Sequence, residues 1–366
     1  MLSGAGERVE LWALDALFNL RGPHRPHGES SRVIIVTVDA ITPQMLGTPW
    51  PLPRAVHARV LEKIQAGSPR VIAVDLVLTD PSILGPPDDE VLRAAIARAG
   101  NVVLATAMVR RPPGAYTEGR ALQPLRSLRQ AASAVGLVGV SVDADGILRR
   151  ARLHERVGTA QLPTFAAQTV RLMRHGSVGG TPSPERVDRP AGFLINFRGA
   201  PGSFEVFPYY RVLWDEVPAD KFRAKIVLIG DTDPLTHDFV STPFAPGGGM
   251  PGVEAQANII ETMLHESAIR EIAPSFSVAS ALVLTLLAIL AVWRFREFGL
   301  AVNAVLLVTI VGGTAAAFIQ WNMWFRSAGV ALAVVAGTMA AVVSLNSGAG
   351  GGRRRPFPLL RRARRK

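Results

Sequence analysis

The residues best suited to chemistry stand where apolar runs stop. VIIVTVD ends on Asp39, RVIAVD on Asp75 and KIVLIGD on Asp231. After Asp231 the chain turns polar, with Thr232, Asp233, His237 and Asp238 in quick succession. Ligands of open α/β sheets bind beyond the carboxyl ends of the strands. Aspartates gathered there suit a hard cation held through oxygen, or a cationic or hydroxylated ligand. A plainer role is open to each of them, because aspartate commonly caps a turn or a helix. Arg54 and His57 lie one helical turn apart. Arg54 suits pairing with a carboxylate from a strand end. His57 suits a ligand, a pH response or a hydrogen bond to a loop carbonyl. Trp50, between two prolines, reads as a packed loop anchor.

Catalysis finds little support. Asp231-Thr232-Asp233 has the spacing of phosphotransferases with an aspartyl nucleophile, but no lysine and second acidic motif follow suitably. The chain lacks a Gly-x-Ser-x-Gly elbow, a phosphate-cradling glycine loop with lysine and a His-Glu-x-x-His pair. It has no cysteine, which excludes disulfides, thiolate metal sites and a cysteine nucleophile. No catalytic residue, metal ligand or cofactor is assigned.

The elements around these residues follow from periodicity. The runs before Asp39 and Asp75 and the run NVVLATAM are β-branched and read as strands. RAVHARVLEKIQAG and DDEVLRAAIARAG carry apolar stripes at helical spacing, with Gly67 and Gly100 as helix stops. Strand and helix alternate over short connections, the pattern of parallel βαβ units. Asp143-Ala144-Asp145-Gly146 reads as the turn of a β-hairpin, and residues 176–192 as a loop. GFLINFRG and KIVLIGD read as short buried strands, and VEAQANIIETMLH as a helix. Leu11, Leu14 and Phe18 suggest a short amphipathic helix near the start. The expected fold is α/β, with a mixed, mainly parallel sheet, helices on its faces, and three transmembrane helices after it.

Those three spans come from composition. Hydrophobic residues make up 48% of the 366, and mean hydropathy is +0.24. The apolar excess lies after Pro274, in three uncharged runs each long enough to cross a bilayer, which takes about 20 apolar residues. Gly312, Gly313, Ala315 and Ala316 are expected to let neighbouring helices approach closely. Of the net charge of +11, eight positive charges sit in the final RRRPFPLLRRARRK. A basic nucleic-acid-binding body is therefore not indicated. Arginines in the first connector and the tail place both in the cytoplasm and everything before Pro274 outside. The chain opens without an apolar export segment, so a span upstream of Met1 is expected. The tail suits anionic lipid.

Several blocks in order resemble the CHASE type 2 family of extracytoplasmic sensory domains, found in bacterial adenylate cyclases and histidine kinases. They are the strand ending in Asp39 with Gly47, Trp50-Pro51, Pro53-Arg54 and His57; RVIAVDLVLTDPS with Asp88 and Asp89; Asp143, Gly146 and Arg149-Arg150; LINFRG; and KIVLIG with Asp238, Thr242-Pro243, Pro251-Gly252-Val253-Glu254 and Ala257-Asn258. The resemblance covers roughly residues 10–346. Gln256 stands where the family often has histidine. The resemblance implies a sensor followed by three spans and, usually, a cytoplasmic cyclase, kinase or phosphatase domain.

The expected organisation is a lead-in helix and loop over 1–31, a sensory domain over 32–272, three spans over 273–346 and a basic cytoplasmic tail over 347–366. The ligand-binding candidates are Asp39, Arg54, His57, Asp75, Asp231, Thr232, Asp238, Glu254 and Asn258. The expected function is a multi-pass cell-membrane sensor, periplasmic or extracellular in its sensory part. It would pass a small-molecule or physical signal to a separate cytoplasmic cyclase, kinase or phosphatase. It would act as a homodimer, without nucleic acid. The alternatives are a periplasmic metal-dependent enzyme using the strand-end aspartates, or a structural membrane scaffold.

Overall fold

β-Branched runs form strands because their stiff side chains pack well on a pleated surface. In a computed structural model of the protein, residues 4–24, 31–109, 120–158, 160–176, 192–236 and 238–350 are described. Their strands up to residue 251 are β1 (Val33–Val38), β2 (Val71–Asp75), β3 (Val102–Val109), β4 (Arg120–Leu122), β5 (Ala134–Leu137), β6 (Arg150–Ala151), β7 (His154–Val157), β8 (Ala160–Pro163), β9 (Phe193–Leu194), β10 (Glu205–Pro208), β11 (Ile226–Asp231), β12 (Phe239–Thr242) and β13 (Ala245–Pro251). The main sheet has the order β10-β1-β11-β2-β3-β4, with β5 also paired to β3. Its pairs are parallel except for β3 with β4. The mixed, mainly parallel sheet expected from the sequence is therefore present. The late strand β11 lies between β1 and β2, where no periodicity could have placed it.

The helices around this sheet are α1 (Gly4–Arg21), α2 (Thr42–Leu46), α3 (Arg54–Ala66), α4 (Pro86–Ala99), α5 (Arg126–Ala131), α6 (Phe165–His175), α7 (Tyr209–Leu213) and α8 (Gly252–Leu264). One face of the sheet buries Val36, Val38, Ile72, Val74, Val227 and Ile229 against α3 and α4. The other receives α6 and α8, which contact each other. Gly230 opens that face, since a Cβ there would lie 2.6 Å from the Val253 side chain of α8. Gly100 ends α4 in the left-handed region, as its position predicts. Gly67 is different. Its φ is −81°, and glycine is needed because a Cβ would meet the Ala219 carbonyl oxygen at 2.0 Å.

Two sequence expectations are corrected. The Asp143–Gly146 turn forms, with the Gly146 N–H donating to the Asp143 carbonyl at 2.9 Å, but it does not join a hairpin. The flanking strands β5 and β6 pair with β3 and β9 instead. The turn serves Arg149, which is fully buried and binds Asp15, Asp143 and Asp145 at 2.7, 3.0 and 2.7 Å. The run GFLINFRG supplies only the two-residue β9, outside the main sheet. The stretch after Asp231 holds the β12–β13 hairpin. Most of the loop expected over 176–192 lies outside the described residues.

Contacts divide the chain into two units, one holding Asp15–Arg270 and the other the described residues before and after it. The boundary falls inside α1, which carries the expected amphipathic pattern but is longer than Leu11, Leu14 and Phe18 suggested. All three residues are buried. In the second unit stand α9 (Pro274–Phe295), α10 (Gly299–Trp321) and α11 (Ala328–Gly350). Each is long and apolar enough to cross a membrane. Nothing lies within 4 Å of a Cβ built on Gly312 or Gly313, so these are not the close-approach glycines. That role falls to Gly337, where a Cβ would lie 2.5 Å from Thr285. Asn303 of α10 donates to the Ala288 carbonyl of α9 at 3.1 Å and to Thr338 of α11 at 2.9 Å, joining all three helices. In the same unit Glu10 accepts from the Gly329 N–H at 2.6 Å, capping α11.

Candidate functional site

Strand register brings the three strand-end aspartates together. Val38 pairs with Asp231, and Gly230 pairs with Asp75. Asp39, Asp231 and Asp75 therefore end or follow three adjacent strands. Their side chains do different things. Asp39 accepts from the Thr42 N–H at 2.8 Å and the Thr42 hydroxyl at 2.6 Å, so it caps α2. Asp231 accepts from the Asp233 N–H at 2.6 Å and shapes its own loop. Thr232 meets the Thr37 hydroxyl, and its N–H donates to the Val38 carbonyl at 3.0 Å.

Asp75 and Asp238 carry the electrostatic tension. Burial pushes the Asp75 carboxyl up to about 8, and the charge of Asp238 contributes to the rise. Burial also raises Asp238 and Asp231 above the ordinary carboxylate range. The Asp238 carbonyl accepts from the Gly252 N–H at 2.8 Å. Its carboxylate fills the space where a Cβ on Gly252 would stand, 2.6 Å away. Asp238 thus lies over the first residue of α8, where the helix dipole favours negative charge. Among the described residues, no group of three or more His, Asp or Glu side chains could hold a metal ion.

Arg54 and His57 sit elsewhere on the same edge. Asp88 caps α3 from outside, accepting from the Arg54 and Ala55 N–H groups at 2.7 and 2.9 Å. Ser82 adds a hydroxyl bond to Asp88. Burial alone would raise the Asp88 carboxyl, but the bonds from Ser82, Ala55 and Arg54 outweigh it and lower it. Arg54 pairs with Asp89 at 3.4 Å and donates to the Asp80 carbonyl at 2.9 Å. Its partner therefore comes from the start of α4, not from a strand end. His57 is buried and shares a 2.8 Å hydrogen bond with the Tyr209 hydroxyl. Burial, then the charge of Arg54, pushes His57 down to about 4. It stays neutral at ordinary pH and bonds to the Leu52 backbone as well.

Glu254 and Asn258 work within α8. Glu254 is buried and accepts from the Gly202 N–H at 2.9 Å and the Ser203 N–H at 3.0 Å. Asn258 accepts from the Arg198 N–H at 2.8 Å. Together they clamp the NFRGAPGS loop onto α8. Of the nine sequence candidates, Asp75, Asp231 and Asp238 interact electrostatically, with Asp238 acting on the other two, and Thr232 bonds to Thr37 and Val38 of β1. Asp39, Glu254 and Asn258 fix backbone, and Arg54 and His57 join a different site.

That second site is a cavity of about 250 Å³ between the loops after β1 and β2. Arg54, His57, Trp50, Val77, Asp80 and Ile83 are in its wall. Trp50 is 47% exposed, so it is not the packed anchor its prolines suggest. Sequence reading missed the cavity because Val77 and Ile83 read as ordinary loop apolars. Its one signal was an apolar run, LVL, continuing past the strand end at Asp75.

A family model, the CHASE2 domain, matches residues 1–294. Neither the comparison with curated proteins nor that with solved structures returned a match. CHASE2 is a sensory domain family, not a catalytic one, whose members typically signal to cytoplasmic output domains. The chain, which also carries three helices long and apolar enough to cross a membrane, belongs to the CHASE2 family of sensory domains.

Proposed function

We propose that this chain is a sensor module without enzymatic activity of its own. It reads a signal at the carboxyl edge of its sheet and passes it through three spans to a separate cytoplasmic partner. One observation carries the reading: the Asp238 carboxylate lies over the first residue of α8. Asp238 also raises both Asp75 and Asp231 electrostatically. A change in charge or occupancy at the strand ends therefore acts on the start of α8. A short connection then links the end of α8 at Leu264 to the start of the first span at Pro274. A signal of this kind works by biasing a two-state arrangement of helices, here within a homodimer. In this reading the sensory domain is extracytoplasmic, the chain crosses the membrane three times, and the basic tail meets anionic lipid in the cytoplasm.

The test uses the full chain in lipid nanodiscs. Asp238→Asn removes the charge over α8 and keeps the side chain's shape. Amide exchange over residues 265–295 is expected to change at least fivefold. A change restricted to residues 228–250 would refute transmission. A reporter fused after Lys366 is expected to be active in the cytoplasm, and periplasmic activity would overturn the topology.

A further inference from the structure

The cavity behind Trp50 has a chemistry of its own. At about 250 Å³ it exceeds the ~150 Å³ that holds a benzene ring. It has room for one ring with a few further atoms. Its mouth is apolar: Trp50, Val77 and Ile83 are 47%, 44% and 73% exposed. Large apolar side chains left bare around a concave site mark a place where something apolar binds. Leu76 and Leu78 extend the apolar wall inward.

One polar group in the wall is unfinished. The Arg54 side chain is only 11% exposed. Its Nε and Nη2 have partners in Asp89 and the Asp80 carbonyl. Its Nη1 has none among the described residues. A guanidinium N–H left without a protein acceptor is available to donate to a polar atom of a bound molecule. The Asp89 carboxylate pairs with this single guanidinium, Asp88 feels its charge, and Asp80 lines the same cavity. They outnumber its charge, so an anion is repelled, while a cation would meet Arg54 itself. His57 Nδ1 is already taken by the Tyr209 hydroxyl at 2.8 Å.

We infer that this cavity binds a neutral, single-ring-sized apolar molecule bearing one hydrogen-bond acceptor, which Arg54 Nη1 receives while Trp50, Val77 and Ile83 cover the ring. The inference rests on the sensor reading above, since it names the kind of signal that such a module would receive.

The probe is 4-fluorobenzyl alcohol, followed by fluorine NMR with the full chain in nanodiscs. Empty nanodiscs, run in parallel, measure partitioning of the probe into lipid. A small ligand of this size binds with a Kd on the order of 1 mM. Line broadening is expected to be greater with the native chain than with empty nanodiscs. That excess is expected to fall at least fivefold in Val77→Trp, which fills the cavity, and in Ile83→Glu, which charges its mouth. Circular dichroism matching the native chain shows that each variant is folded, and the exposed position of Ile83 makes that variant the more tolerant of the two. Trp214→Ala, at an exposed residue outside the cavity wall, is expected to bind normally. 4-Fluorobenzoate and 4-fluorobenzylammonium are expected to bind at least tenfold more weakly. Equal broadening by native chain and both folded variants, or benzoate binding as well as the alcohol, overturns the inference. Amide exchange over residues 265–295 separates the two claims. No binding alongside an intact Asp238→Asn response sinks the ligand class and leaves the sensor standing. Binding that leaves that segment unchanged confirms the cavity and counts against transmission.

Discussion

Replacing Asp75 by asparagine tests whether the edge of the sheet stores electrostatic tension. In the folded protein the Asp75 carboxyl titrates at about 8, against 3.8 for an ordinary aspartate. Between those values the folded chain keeps a proton that the unfolded chain has released. Stability then falls as pH rises, with a slope of about 1.4 kcal/mol per pH unit for one proton. The contribution is fully present below about pH 4 and lost by about pH 8. Its ceiling over that window is about 6 kcal/mol. Asp75 is only partly buried by surface area, and water reaching the ionised form brings the expected loss to about 3 kcal/mol. Asparagine carries no charge, so Asp75→Asn should match the native chain near pH 4 and exceed it by about 3 kcal/mol at pH 8.5. The assay is urea unfolding of the full chain in nanodiscs from about pH 4.5 to 8.5, followed by tryptophan fluorescence. Asp231 and Asp238 also titrate upward, so the informative quantity is the difference between the two chains at each pH. Parallel pH profiles, offset or not, would refute the argument.

Other perturbations have signs that follow from the contacts. Arg149→Ala leaves Asp15, Asp143 and Asp145 without their shared cation. It should cost about 3–5 kcal/mol, read as a loss of thermal stability, and a cost under about 1 kcal/mol would contradict the hub. Gly337→Ile drives a side chain into Thr285, whereas Gly312→Ile meets open space. Only the first should lower the detergent resistance of the folded chain, and equal effects would refute the packing of α9 with α11.

Much of this protein is legible in order along the chain. Local period and composition depend on neighbours in sequence, so β1, β2, β3, α3, α4 and α8 stand where their patterns put them. The three spans announce themselves for the same reason, because a bilayer imposes length and apolarity on every span. The family blocks also mark residues that turn out to be tied together, such as Pro53-Arg54 with Asp88-Asp89.

What the sequence could not say concerns partners distant along it. Insertion of β11 between β1 and β2 is a choice among strand orders with equal local patterns, and it alone makes Asp75 and Asp231 neighbours. The same residue types then divide by environment: Asp39 and Asp88 become caps, while Asp75 is left raised and tense beside Asp238. Gly312 and Gly337 are indistinguishable as letters, and only the approach of Thr285 separates them. The cavity behind Trp50 depends on three segments meeting: the loop after β1, the start of α3 and the loop after β2. Residue types and their spacing thus determined the elements and the family. Tertiary structure decided which carboxylates cap, which carry strain and where a ligand can enter, because burial and charge pairing exist only once distant segments are in contact.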